Sequence, residues 1–188
     1  IAGGSVNGSN LMAAQAGMNG AVFQMFNHGT ISAMLFILVG VIYEQAHHRD
    51  IEGFGGLASQ MPKYTAIVAL AFFAGLGLPG LSGFVSEAMC FIGAFPVFRN
   101  IVIISTIGIL LNAAYFLWAF QRMFFGKLNE KYTKLVDINN RELFTVIPLL
   151  VITIFLGVYP RPFLDMIKET MNILIDQVVV VGGIAGIF

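Results

Sequence analysis

The chain has 188 residues, of which 57% are hydrophobic and 11% charged, and its mean hydropathy is +0.84. Soluble domains are about 25% charged, so this composition cannot cover a water-facing surface and excludes an ordinary cytosolic domain. The ten basic and ten acidic residues cancel, which leaves no net field to attract nucleic acid. A single cysteine, Cys90, excludes a disulfide framework and a thiolate metal site. The remaining class is an all-α integral membrane protein.

Four stretches are apolar over the roughly 20 residues that a helix needs to cross a bilayer. We predict transmembrane helices at 18–43, 64–98, 101–121 and 143–160. In the tail, 163–188, apolar residues recur at helical spacing between charged ones, which predicts an amphipathic, interfacial helix; the final VVVVGGIAGIF has no assigned place. Together, 1–188 are predicted to form a single membrane domain, a polytopic transmembrane helix bundle.

The second stretch is too long for one straight helix. At a rise of about 1.5 Å per residue, such a helix would be longer than the hydrocarbon core of a bilayer, which is about 30 Å thick. Its middle reads GLGLPGLSG, with Pro79, Gly80 and Gly83. Proline removes a backbone donor and glycine weakens a helix, so we predict a break near Leu78–Gly83. The alternative is two tilted helices joined by a tight turn; a short, uncharged interruption favours the broken helix.

Seven of the ten Lys and Arg residues lie in the segments around two loops, Glu44–Pro62 and Arg122–Glu142: Arg49, Lys63, Arg122, Lys127, Lys131, Lys134 and Arg141. Loops on the same side of a membrane follow alternate spans, and cytoplasmic loops carry the excess of Lys and Arg. We therefore expect both loops to face the cytoplasm or the mitochondrial matrix.

Glu87 lies inside the second span, just after the predicted break. An ionisable side chain within a bilayer costs several kcal/mol (about 2.5–3.5 on insertion scales), so it is a functional candidate. The first hypothesis is that Glu87 takes up and releases a proton. The alternative is a neutral acid that only hydrogen-bonds a neighbouring helix; the adjacent break and the lack of a local basic partner favour proton transfer.

His28 is the ionisable residue of the first span, and Gln24 and Ser32 lie one turn to either side on the same line. An imidazole with a near-neutral pKa suits a proton relay and equally suits tying two helices together; the sequence leaves both open. We assign Gln24, Ser32 and Glu44 to a supporting polar path. The adjacent His47 and His48 favour a solvated or subunit-contacting loop over a metal site, because no closely spaced third ligand follows.

Three segments carry a family resemblance: FNHGTISAMLFILVGVIYEQAHHRDIEGFGGLASQMPKY, LGLPGLSGFVSEAMCFIGAF and AAYFLWAFQRMFFGK. They closely resemble the antiporter-like membrane subunit of respiratory NADH:quinone oxidoreductase (complex I) called M in bacteria and chain 4 in mitochondria. The resemblance covers nearly the whole chain and is strongest over Gly20–Lys127. It implies an antiporter-like fold, of which this is the C-terminal half, with a discontinuous pumping helix at Leu78–Gly83.

The resemblance also implies roles for individual residues. The family's proton-handling glutamate matches Glu87, and its helix histidine on the proton path matches His28. It implies a subunit without redox chemistry or a cofactor or metal of its own, since NADH, flavin, iron–sulfur clusters and quinone belong to other subunits. The expected partners are other membrane-arm subunits, including neighbouring antiporter-like ones, and the lipid bilayer of a mitochondrial or bacterial inner membrane; nucleic acid is not expected.

The sequence departs from the family by supplying only the C-terminal part of a subunit with many more spans. The first half-channel and the central lysine have no counterpart here. Either the sequence is partial or a separate chain supplies the N-terminal half. Two related functions remain as alternatives, a component of a multisubunit Na⁺/H⁺ antiporter and a membrane subunit of a proton-pumping hydrogenase; Glu87 and the YEQAHHRD loop favour complex I.

Overall fold

A computed structural model describes residues 11–185, with side chains described as far as residue 178, and over this part it contains helices and no strands. The α-helices are α1 (Leu11–Ala46), α2 (Leu57–Gln60), α3 (Pro62–Gly75), α4 (Ser82–Phe124), α5 (Asn140–Val158) and α6 (Arg161–Ala185). Short 3₁₀ turns occur at Ile51–Gly53 and Glu130–Tyr132. The all-α prediction is confirmed.

Three of these helices, α1, α4 and α5, are long and apolar enough to cross a membrane. The first predicted span lies inside α1, which is longer at both ends, and the fourth nearly coincides with α5. The predicted tail helix corresponds to α6, which begins two residues earlier; residues 186–188 of that prediction lie outside the described part.

Helix α3 and the first part of α4 pack along α1 in one continuous antiparallel register. Three contacts define it: Tyr64 Oη donates to the Leu38 carbonyl at 2.8 Å, Asn27 Nδ2 donates to the Ser82 carbonyl at 2.9 Å, and Gly93 packs on the Gly17 backbone. As the chain advances from α3 into α4, the partner moves steadily toward the start of α1. A hairpin would have returned to the same part of α1, so α3 and the start of α4 form one discontinuous helix, as predicted.

The chain reverses direction inside α4, at Phe98. This residue has non-helical dihedrals (φ −119°, ψ 41°) and follows Pro96, whose ring and missing N–H disrupt a helix. After the kink, residues 99–124 run back beside α3, with Asn112 at Gly75 and the Phe116 ring 5.0 Å from that of Phe72. The prediction placed a gap between residues 98 and 101; in the structure only Phe98 separates the two helical segments.

The two loops lie at the same end of the bundle, as the charge pattern predicts, and they also dock on each other. The Gln45 side chain donates to the Val136 carbonyl and accepts from its N–H, at 3.0 and 2.8 Å. Asp137 accepts from the N–H groups of Lys63 and Tyr64, both at 3.0 Å. Because the first N–H groups of a helix lack intrahelical partners, Asp137 supplies the cap of α3 from the other loop.

The main hydrophobic core lies beneath these docked loops, where α1, α3, α5 and the end of α4 converge. Its fully enclosed side chains include Met34, Leu38, Leu57, Met61 and Phe124. This core fixes the loop end of each helix and leaves the middle of the bundle, around the helix break, to a different kind of packing.

Candidate functional site

The helix break begins earlier than the sequence predicts. Helix α3 ends at Gly75 and α4 begins at Ser82, so Pro79 and Gly80 lie in the break while Gly83 lies in the first turn of α4. The Leu81 N–H donates to the Leu78 carbonyl in a turn, at 3.1 Å. Gly77 and Gly80 adopt φ values of 72° and 96°, which other residues disfavour. The predicted interruption of the i→i−4 ladder at Pro79 is therefore present.

A cavity of about 270 Å³ opens beside the break, between α1, the end of α3 and both segments of α4. Its polar lining consists of Gln24, His28, Ser32, Glu87, Asn112 and Tyr115. Four residues that the sequence singled out, on two different helices, thus line one cavity. The lining contains no lysine or arginine among the described residues, so His28 is the basic side chain that shares this space with the carboxyl group.

Glu87 is half-buried, and its carboxyl group packs against the backbone of the break. A Cβ atom at Gly77 would lie 2.6 Å from Glu87 Oε2, so only glycine leaves room for the carboxyl group there. Gly83, one turn earlier in α4, similarly admits the Ala74 carbonyl, 2.6 Å from its own Cβ position. The glycines therefore let the carboxyl group and the end of α3 approach closely.

His28 lies at the exposed side of the cavity, with Nε2 at 3.5 Å from the hydroxyl of Ser32 on the same helix. Within the described residues its ring makes no hydrogen bond to another helix, so this part of the chain gives no support to a role in tying helices together. His28 and Glu87 line the same cavity.

A buried hydrogen-bond network that was not predicted from the sequence lies beside Glu87. Asn27 Nδ2 donates to the Ser82 carbonyl and to Ser86 Oγ, both at 2.9 Å, and the Ser86 hydroxyl donates to Gln24 Oε1. Asn27, Ser82 and Ser86 are almost fully buried. Successive helical residues point about 100° apart, so anchoring Ser86 against α1 turns Glu87 toward the cavity. The sequence feature that could have indicated this network is the presence of an amide, Asn27, and two hydroxyls, Ser82 and Ser86, within apolar spans.

Glu44 does not line this cavity, which corrects its grouping with Gln24 and Ser32. It lies twelve residues beyond Ser32, or about 18 Å along the helix, and it is exposed. It lines a separate cavity of about 780 Å³ with Asn139, Arg141 and Glu142 at the loop end. The helix face also separates Glu44 from the site, because its position is rotated about 120° from that of Ser32 and about 160° from that of His28.

One of the two adjacent histidines, His48, contributes to the contact between the two loops. His48 Nε2 hydrogen-bonds the Tyr132 hydroxyl, and its ring stacks on Phe54 with centroids 4.3 Å apart. His47 has a positive φ of 58° at the turn that ends α1. In the part of the chain that was searched, no group of three His, Cys, Asp or Glu side chains is arranged to hold a metal ion.

Comparison with known proteins places the chain among membrane proteins of one family. A family model described as NADH:quinone oxidoreductase/Mrp antiporter, transmembrane, matches residues 5–112. NADH-quinone oxidoreductase subunit M of Rhodobacter capsulatus is 42% identical over 164 residues, which cover 87% of this chain and 32% of that protein. NADH-ubiquinone oxidoreductase chain 4 of Arabidopsis thaliana is 36% identical over 162 residues, covering 86% of this chain and 33% of that one. The chain thus spans about a third of the length of these relatives.

The fold also matches a solved structure, respiratory complex I from Thermus thermophilus with bound NADH. The TM-score is 0.78 at 26% sequence identity, over 87% of this chain and 35% of the matched chain. With its apolar membrane-length helices, the chain is a multi-pass protein of a bacterial or mitochondrial inner membrane. The family model matches more than half of the residues, and the chain belongs to the NADH:quinone oxidoreductase/Mrp antiporter transmembrane family.

Proposed function

We propose that the subunit to which this chain contributes is a proton-translocating membrane-arm subunit of an NADH:quinone oxidoreductase. The observation that carries the proposal is the cavity at the helix break, which brings Glu87 and His28 together on different helices. Because the chain spans about a third of its relatives, the cavity forms one part of a longer proton path.

Glu87 is the proton carrier in this proposal. A carboxyl group partly removed from water favours its protonated form, and a charge brought nearby changes that balance strongly because the surrounding dielectric is low. Glu87 packs on the non-helical backbone at Gly77. A change in the charge of a neighbouring subunit could therefore load or unload it without a large movement of the bundle.

His28 passes protons between the cavity and the rest of the path. An imidazole ring can accept a proton at one nitrogen and donate one from the other. Gln24 and Ser32 lie one turn away on the same face of α1 and line the same cavity. They supply the polar surface along which water can carry a proton between His28 and Glu87.

Redox chemistry belongs to other subunits in this proposal. An iron–sulfur cluster requires several cysteine or histidine ligands, and the sequence has one cysteine, Cys90. NADH, flavin and quinone would likewise be bound by partner subunits, and this chain would respond to their reactions through charge and conformation. Its partners are other membrane-arm subunits.

The test separates this function from the Na⁺/H⁺ antiporter and hydrogenase alternatives. The full-length subunit is purified with its partners through an affinity tag and reconstituted in vesicles. We expect NADH:quinone reductase activity to copurify and NADH oxidation to drive proton uptake in Na⁺-free buffer. A strict Na⁺ requirement for proton movement, or copurifying hydrogenase activity without NADH oxidation, would contradict the proposal.

A further inference from the structure

We propose that Asn112 is a positioning residue for proton transfer, because it holds the end of the broken helix against which Glu87 packs. The proposal rests on the proposed function of Glu87. Asn112 is on the returning segment of α4, and its Nδ2 donates to the Gly75 carbonyl at 2.9 Å. Gly75 is the last residue of α3, so this contact joins the returning segment to the break.

The carbonyl groups at the end of α3 show why this hydrogen bond matters. Those of Phe72, Phe73 and Ala74 accept from the backbone N–H groups of Leu76, Leu78 and Gly77, at 2.8, 3.0 and 3.2 Å. The Gly75 carbonyl accepts instead from the Asn112 side chain. The last carbonyls of a helix lack intrahelical partners, and a carbonyl left unpaired away from water is costly. Asn112 therefore completes the hydrogen bonding of α3 at the point where the backbone leaves the helix.

The position of Gly75 determines the surface that Glu87 meets. Gly77 follows two residues later, and its Cα faces the Glu87 carboxyl group so closely that a Cβ would lie 2.6 Å from Oε2. Glu87 and Asn112 are on opposite segments of α4, and both line the cavity of about 270 Å³. The amide thus fixes one wall of the Glu87 site from across the cavity, and among the described residues it makes no hydrogen bond to the carboxyl group itself.

The alternative is that Asn112 is only a polar side chain that joins two helices. Asn112 differs from its neighbours along the chain: it is polar and partly buried, whereas the rest of the returning segment is mostly apolar and largely exposed. A purely structural amide predicts that its removal lowers the amount of assembled complex. A positioning amide predicts, in addition, that the environment of Glu87 changes in the complexes that do assemble.

The experiment uses the full assembled complex in vesicles and three variants of the full-length subunit. Asn112→Leu removes the donor at similar size, Asn112→Gln keeps an amide that the adjacent cavity can accommodate, and Ser105→Leu is a matched control at an exposed position on the same segment. Two quantities are measured for each: proton translocation per assembled complex, and the rate at which a membrane-permeant carbodiimide modifies Glu87, followed by mass spectrometry.

We expect Asn112→Leu to lower proton translocation per assembled complex about tenfold, which corresponds to about 1.4 kcal/mol, and to speed modification of Glu87. Asn112→Gln should retain most of the translocation, and Ser105→Leu should match the wild type in both measurements. If Asn112→Leu assembles poorly, Asn112→Ala removes the same donor without adding bulk and is measured in its place.

Wild-type translocation in the donor-less variant, or lost translocation with an unchanged rate of Glu87 modification, would overturn the positioning role. A failure of the proposed function gives a different result: Glu87→Gln would then translocate protons normally. The rate of carbodiimide modification still tests the contact between Asn112 and the Glu87 site in that case, because it requires no pumping.

Discussion

The loop end and the middle of the bundle are held together in different ways. At the loop end, a large cluster of enclosed apolar side chains lies under two loops that hydrogen-bond each other. At the helix break, the corresponding apolar cluster contains only Ile31, Ala74 and Leu81, beside a polar cavity. Asn27 Oδ1 and Ser82 Oγ are buried there without a hydrogen-bond partner among the described residues. The contrast indicates that the loop end supplies rigidity, whereas the polar break is where we propose the proton site.

The first way to sharpen this comparison is to weaken the loop end alone. Met61 is fully enclosed in the core between α2 and α3, and replacing such a side chain with alanine costs about 2–5 kcal/mol through lost burial and the cavity left behind. We expect Met61→Ala to lower the thermal midpoint and the yield of assembled complex strongly. Proton translocation per assembled complex should stay near the wild-type value; a loss of coupling there would show that the two regions are not separable.

A second variant weakens the middle of the bundle. Ser86→Ala removes the hydroxyl that accepts from Asn27 and donates to Gln24, leaving both amides without that partner. An unpaired buried polar group costs about 1–3 kcal/mol, so the effect on stability should be smaller than for Met61→Ala. Translocation per assembled complex should nevertheless fall, because the rotation of Glu87 toward the cavity is no longer fixed. Thermal midpoints and vesicle acidification are measured on the same preparations.

His28 provides a third comparison with a smaller effect. If it relays protons, His28→Ala should slow translocation severalfold per assembled complex, because a transfer step is lost. The exposed position predicts little change in the thermal midpoint. His28→Gln tells the two roles apart: a structural histidine predicts that Gln preserves activity and that Ala reduces assembly. Normal translocation in both variants, corrected for assembly, would exclude the relay.

The architecture around the break was predictable because local chemistry causes it. Proline and glycine interrupt a helix wherever they occur together, so Pro79 and Gly80 marked the break without knowledge of the tertiary fold. The boundary was less accurate: Gly83 was placed in the break but lies in the first turn of α4, where packing on the Ala74 carbonyl requires glycine. That requirement comes from a neighbouring helix and is invisible in the local pattern.

The contents of the site were only partly predictable. Glu87 and His28 stand out as charges in apolar spans, whereas Asn112 and Ser86 are neutral and gain meaning only from partners far away in the sequence. Asp137 is a similar case, since it caps α3 from a loop 74 positions from Lys63. Glu44 was assigned to the path because it is a charged residue at the end of the same helix, but its helix face and its position along the axis both separate it from the cavity at the break.

The central claim is that Glu87 carries a proton at the break, and the proton-to-electron ratio of Glu87→Gln tests it most directly. The full complex is reconstituted in vesicles, and proton uptake is measured per NADH oxidised, with Glu44→Gln as the matched carboxyl-to-amide control outside the cavity. Glutamine keeps the size and polarity of the side chain but cannot take up or release the proton. We expect a lower ratio for Glu87→Gln and a wild-type ratio for Glu44→Gln. A wild-type ratio in Glu87→Gln would contradict the account.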